Sequence, residues 1–161
     1  MAVELVRLSS RHQPQRSYKW RVVIQEESAH IPPELIIDCS LPIPTNPNNG
    51  IHQGGTNDYY PGFVDIGNMT LTLIENNKGH VLRHLQNWKR RVQGVDELFN
   101  YSAAYKRDAD CQLLDAANNV HTTIKLTGIW PSDSDTEILS YESSQMWKIS
   151  QKFSVDGGEV L

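Results

Sequence analysis

His80 and His84 are the first pair in the sequence whose spacing could do chemistry. Four residues apart on a helix, two imidazoles share a face and can share a metal ion. A zinc hydrolase built on that spacing carries a glutamate directly after the first histidine, and here Val81 stands in its place. Arg83 between the two would oppose a cation, so they read as surface histidines. His12, His30, His52 and His121 are scattered over loop and strand positions. Asp133, Asp135 and Glu137 alternate as calcium-loop ligands do, but the turn glycine and the bidentate glutamate at the twelfth loop position are missing. Gly54-Gly55 and Gly157-Gly158 are not followed by the Lys-Ser/Thr of a phosphate cradle, and no serine sits in a Gly-x-Ser-x-Gly elbow. Cys39 and Cys111 lack metal-ligand spacing and lie in strand-like runs, so they read as buried thiols; a disulfide requires their strands to be adjacent. Lys89-Arg90-Arg91 could hold phosphate, yet a basic last helical turn is explained by the helix dipole alone. No catalytic residue, cofactor-binding motif or metal site is expected, and the chain does not read as an enzyme.

Composition, with 39% hydrophobic and 21% charged residues, is ordinary for a soluble globular protein. At 161 residues one domain, 1–161, is the natural expectation, able to bury about 70% of the surface its unfolded form exposes. Fifteen basic and nineteen acidic residues give a net charge of −4, which argues against a dedicated nucleic-acid binder. The N-terminus lacks the pattern of a signal peptide. No apolar run approaches the roughly 18 residues that span a bilayer, so no membrane anchor is expected.

The elements follow from hydrophobic period. Tyr18–Gln25 and Glu34–Cys39 read as an antiparallel pair of strands. Thr45–Asp58 is crowded with Asn, Gly and Pro, which cannot hold a regular central strand, and reads as a long loop or loosely paired hairpin reaching to about residue 62. Asn68–Ile74 alternates, with Met69, Leu71 and Leu73 on one side. From His80 to Val92 the period changes to helical: Val81, Leu82, Leu85, Trp88 and Val92 form the apolar stripe, Asn77 is the candidate cap, and Gly94 the stop. Tyr105–Leu114 and Val120–Ile129 read as a hairpin, Ser132–Thr136 as an acidic loop, and Gln145–Val155 as the last strand. In that strand Trp147, Ile149, Phe153 and Val155 share a face on which Gln151 is the exception. The sum is mainly β: an antiparallel β-sandwich or barrel with one α-helix packed against it.

The order of these elements resembles the tail tube proteins of contractile-tailed phages, the T4-type family related to secretion-system and pyocin tube proteins. Leu41-Pro42 resembles the family's proline-containing exit from the second strand, and Met69–Asn76 the strand leading into its single helix. Leu85 and Trp88 sit where members keep a large apolar residue and a tryptophan. Ile124–Pro131, ending in Gly128-Ile129-Trp130-Pro131, is similar to the family's strand that closes in Gly-aliphatic-aromatic-Pro. The resemblance covers roughly residues 18 to 156; the tail beyond Asp156 has no clear counterpart.

The resemblance implies a virion structural protein that self-assembles in the bacterial host cytoplasm as homohexameric rings stacked into a hollow tube. Its implied partners are further copies of itself, the tail sheath protein, the baseplate tube initiator, the tail terminator, and the tape-measure protein and DNA in the lumen. The long loop would reach a neighbouring ring, with Pro47, Asn48, Ile51, Tyr59 and Tyr60 as contact residues. Ser/Thr-rich polar faces and the −4 charge suit a polar, net negative lumen through which DNA is ejected without sticking. The alternatives are a secretion-system or phage-like particle tube protein, and a monomeric β-sandwich binding module using Trp20, Trp130, Tyr59 and Tyr60 as stacking residues.

Overall fold

The computed structural model describes residues 15–25, 31–94, 98–142 and 144–161. Its elements in chain order are β1 (Trp20–Ile24), a 3-10 turn (Pro33–Leu35), β2 (Ile36–Ser40), β3 (Asn48–Gln53), β4 (Thr56–Pro61), β5 (Asn68–Ile74), α1 (His80–Val92), α2 (Ser102–Tyr105), β6 (Arg107–Leu114), β7 (Val120–Thr136), β8 (Lys148–Ser154) and β9 (Gly157–Val160). Among the described residues seven strands form one antiparallel sheet in the order β1-β6-β7-β8-β5-β2, with β9 also paired to β7; β3 and β4 form a separate hairpin.

β7 holds this arrangement together. Its first half pairs with β6 on one side and β9 on the other, while its second half pairs with β8. The change falls at Gly128, where φ is +65°, and at a register shift between Pro131 and Ser134. An L side chain is strained at that φ, and a Cβ on Gly128 would collide with the Asp156 carboxylate. The bend folds the sheet over itself, bringing edge strands β1 and β2 into contact. Val22, Ile24, Ala109, Cys111, Leu126 and Ile129 from one layer meet Ile36, Met69, Leu71, Leu73, Ile149 and Phe153 from the other in a single core. Each such aliphatic or aromatic side chain contributes about 1.5–3 kcal/mol by leaving water.

The helix completes that core with Val81, Leu85 and Trp88. Trp88 lies 5.5 Å from the Phe153 ring, and its indole N–H donates to the Tyr105 carbonyl at 2.6 Å. Two sequence expectations need correction here. Leu82 is 38% exposed. It stands about 100° round the helix from Val81, outside the arc that Val81, Leu85, Trp88 and half-buried Val92 share. Asn77 is not the cap either. Gly79, at φ 66°, takes the N-cap position, and the Glu75 carboxylate accepts from the Val81 and Leu82 amides at 3.0 and 2.7 Å. Asn76 Oδ1 accepts from Lys78 and His80. A carboxylate on the helix N-terminus satisfies two orphan donors and complements the dipole.

Ser132–Thr136 is not a loop but the second half of β7. Ser134, Asp135 and Thr136 stand in register with Gln151, Ser150 and Ile149. Among the described residues nothing pairs with the other side of this segment, so its acidic side chains remain in water while the backbone keeps its ladder. The tail beyond Asp156 is also a strand, β9, bonded to Ile124–Thr127.

Candidate assembly surfaces

The segment that the sequence leaves between loop and hairpin is a regular hairpin. Gly54 and Gly55, at φ 59° and 83°, supply the two left-handed residues that a two-residue turn demands, and pairing runs from Gln53↔Thr56 back to Asn48↔Pro61. At its base Gly62 N donates to Pro47 O, and a Cβ on Gly62 would lie 2.9 Å from Pro47 Cγ. Thr45 and Asp65 bridge just below. Every residue of both strands is exposed. A two-stranded hairpin without a third strand or a covering helix is marginally stable in water at best.

Register sorts the candidate contact residues. Tyr60 pairs with Asn49 and Ile51 with Asp58, which puts Ile51 and Tyr60 on one face. Tyr59 lies opposite Gly50, with its ring edge 3.4 Å from where a Cβ would stand, on the face that Asn48 and Pro61 share. The two tyrosines, 66% and 53% exposed, therefore point to opposite sides. Trp130 packs edge-on against Tyr105 at 6.0 Å and Trp20 is half-buried against the core, so the four aromatics do not form a shared stacking platform. Ile43, Phe63 and Val64 add exposed apolar surface at the hairpin base, with Phe63 98% exposed. Further uncovered groups lie at Leu98, Phe99 and Tyr101, at Ile138, Leu139, Tyr141 and Met146, and at Val160 and Leu161. Apolar surface left out in this way marks interaction sites.

The layer β7-β8-β5-β2 has a second kind of surface on its outer side. Against the buried Met69, Leu71, Leu73, Ile149 and Phe153 it turns Thr70, Thr72, Lys148, Ser150 and Lys152 outward. Asp38 stands beside Thr72, and Asp135 beside Ser150. With Glu137 beside Lys148, this face carries three carboxylates and two ammonium groups among hydroxyls, a small negative balance. A shallow groove of about 380 Å³ crosses it, lined by Thr72, Asp135, Thr136, Glu137, Ile138, Lys148 and Ser150.

Gln151, the polar exception on the apolar face, is fully buried and occupied. Its amide N–H groups donate to Asp133 O at 3.0 Å and Lys152 O at 2.6 Å, and its Oε1 accepts from the Ser134 hydroxyl. Lys89 Nζ in turn donates to Ser134 Oγ, which ties the basic end of α1 to the bulge of β7. Gly128-Ile129-Trp130-Pro131 is the corner itself: Gly128 turns it, and Ile129 and Pro131 are buried in it.

His80 and His84 are half-buried, and His84 meets the Trp88 ring edge-on at 6.0 Å. No group of three or more His, Cys, Asp or Glu among the described residues is arranged to hold a metal ion. Cys39 and Cys111 are free thiols brought together by the folding of the sheet. The Cys39 S–H bonded to the Cys111 sulfur holds Cys111 below the ordinary thiol pKa, against the opposing effect of burial. The same hydrogen bond, reinforced by burial and by the neighbouring charge, raises Cys39 far above it.

With its antiparallel sheet and one main helix, the chain has the fold of tail tube proteins. Over 100% of its length the chain superposes on 99% of the anti-feeding prophage tube-terminating cap, with a TM-score of 0.76 and 16% identity. It matches a chain of the sheath–tube complex of the extracellular contractile injection system PVC over 92% of this chain and 91% of that chain, with a TM-score of 0.71 and 17% identity. In sequence it resembles the tail tube protein of Serratia phage KSP90, 28% identical over 130 residues, covering 74% of this chain and 72% of that protein. No family model matches. No helix among the described residues is long and apolar enough to cross a membrane.

The exposed groups at residues 98–101 and 138–146, strand β9 and the Glu75 cap escape the sequence reading. Ile138-Leu139, an apolar pair directly after an acidic run, is the signal that could have found one of them.

Proposed function

We propose that the chain is a tube-building subunit of a contractile injection machine, assembling into homohexameric rings that stack within a sheath. The observation that carries this reading is the hairpin 48–61, exposed along both strands and bearing Ile51, Tyr59 and Tyr60 on opposite faces. A hairpin with two uncovered faces suits insertion between two neighbours, and Pro47 and Asn48 at its base set the angle at which it leaves the body. The open sides of β1, β2 and β9 suit pairing around a closed ring, which leaves no edge free. The hydroxyl-rich outer face of β5 and β8 is the candidate lumen wall, where a small negative balance and few fixed cations let DNA, with the tape-measure protein ahead of it, pass without tight phosphate contacts. Sheath, baseplate initiator and terminator are the expected partners. The likeness to injection-system structures supports the same assembly in a phage-like particle as a second reading.

Tyr60→Asp with Ile51→Asp tests the proposal, since both lie on one hairpin face that the subunit's own core does not touch. The pair of substitutions is expected to leave subunit folding intact while stopping growth of stacked rings in negative-stain images. Normal tubes from the doubly charged hairpin would refute the assigned role.

A further inference from the structure

Cys39 and Cys111 lie on strands that are not neighbours in the sheet. Cys39 of β2 stands in register with Leu71 of β5, whereas Cys111 of β6 stands between Val22 of β1 and Ile124 of β7. Folding of the sheet brings the two thiols together at the seam where β1 and β2 meet. Both line one cavity of about 160 Å³, alongside Trp20, Leu113 and the guanidinium-bearing Arg16. Cys111 is only 2% exposed, so a tripeptide disulfide cannot reach its sulfur in the folded protein. A small hydroperoxide can enter a space that would hold several waters, each about 30 Å³.

We propose that Cys39 and Cys111 are a peroxide-reactive dithiol that closes into an intramolecular disulfide, stapling the β2 edge to β6 across the seam. The sulfur of Cys111 attacks the near oxygen of the hydroperoxide. The O–O bond breaks, Cys111 becomes a sulfenic acid, and the departing oxygen takes up a proton as water or alcohol. The Cys39 sulfur then attacks Cys111 Sγ. The S–O bond breaks, and the hydroxyl leaves as water with the proton from Cys39. Two thiols have lost two electrons and two hydrogens, and the peroxide has accepted both. The hydrogen bond from Cys39 favours the nucleophilic form of Cys111, and because both sulfurs line the one cavity the same disulfide forms whichever is oxidised first. This inference stands whether or not the chain builds a tube.

The test treats the purified full chain with hydrogen peroxide in stoichiometric steps. Intact mass is expected to fall by two hydrogens, with a peptide joining Cys39 to Cys111 that dithiothreitol separates. The bridge closes a long loop, so the thermal midpoint is expected to rise by about 5 °C or more. In Cys39→Ala and in Cys111→Ala the loss of two hydrogens and the gain in midpoint are both expected to be absent. Four outcomes of the wild-type experiment would each overturn the proposal, whether or not the variants fold. These are two thiols still titratable, stable sulfinic acid, cross-links between chains, and an intrachain bridge without a gain in midpoint.

Discussion

Replacing Gln151 by leucine puts an apolar side chain of similar size on an apolar face, and a reading from hydrophobic pattern alone would expect stabilisation. The structure leads to the opposite expectation. Gln151 makes three hydrogen bonds in a dry site, to Asp133 O, Lys152 O and the Ser134 hydroxyl. Their loss costs about 1 kcal/mol each, or about 3 kcal/mol together. Lys152 O keeps the Ser132 hydroxyl at 3.2 Å and Ser134 Oγ still accepts from Lys89, so the groups that lose the partner Gln151 gave them are Asp133 O and the Ser134 O–H. The greater apolarity of leucine returns about 1 kcal/mol. The net loss is about 2 kcal/mol, a fall in thermal midpoint of about 4–8 °C for a chain of this size. The assay is thermal and urea unfolding of the subunit at concentrations where light scattering gives the mass of a single chain, because assembly would add its own stabilisation. Gln151→Leu as stable as the wild type, or more so, would refute the view that this side chain holds the bulge of β7 to β8.

Three further outcomes are expected from the same assay. Gly128→Ala should lose about 2 kcal/mol, from the left-handed φ and the displacement of Asp156, and an unchanged midpoint would show that the corner does not depend on it. Glu75→Ala should cost about 1 kcal/mol and fray the first turn of α1, seen as faster amide exchange at Val81 and Leu82, whereas Asn77→Ala should change stability by less than about 0.5 kcal/mol. Leu85→Ala should lose about 2–5 kcal/mol and Leu82→Ala less than about 1 kcal/mol; equal losses would contradict the assignment of the buried stripe.

Where side-chain period alone decided the outcome, the residues were readable without coordinates. Met69, Leu71 and Leu73 alternate because one face of β5 is buried, and Val81, Leu85 and Trp88 repeat because one face of α1 is. Leu82 misled because hydrophobicity was read without its angle round the helix. Ser132–Thr136 misled because an edge strand can be polar on both faces when its backbone is paired on one side only. The Glu75 cap was hidden by distance along the chain: its carboxylate reaches back across the Gly79 turn to an amide seven positions on. Gln151 was visible as an anomaly, but its partners depend on a bulge that no local pattern announces. The hairpin turn was legible in Gly54-Gly55, whereas its isolation from the main sheet was not. Nor could the sequence say that Cys39 and Cys111 line one cavity, since they come together only when the sheet folds over and β1 meets β2.

The most direct measurement of the central claim is the solution mass of the purified protein by light scattering, with negative-stain images of the same sample, alone and after addition of a seeded tube end. Six-fold rings or stacked tubes, alone or on the seed, are the predicted result. A single-chain mass that persists in the presence of the seed, with no rings in the images, would contradict the account.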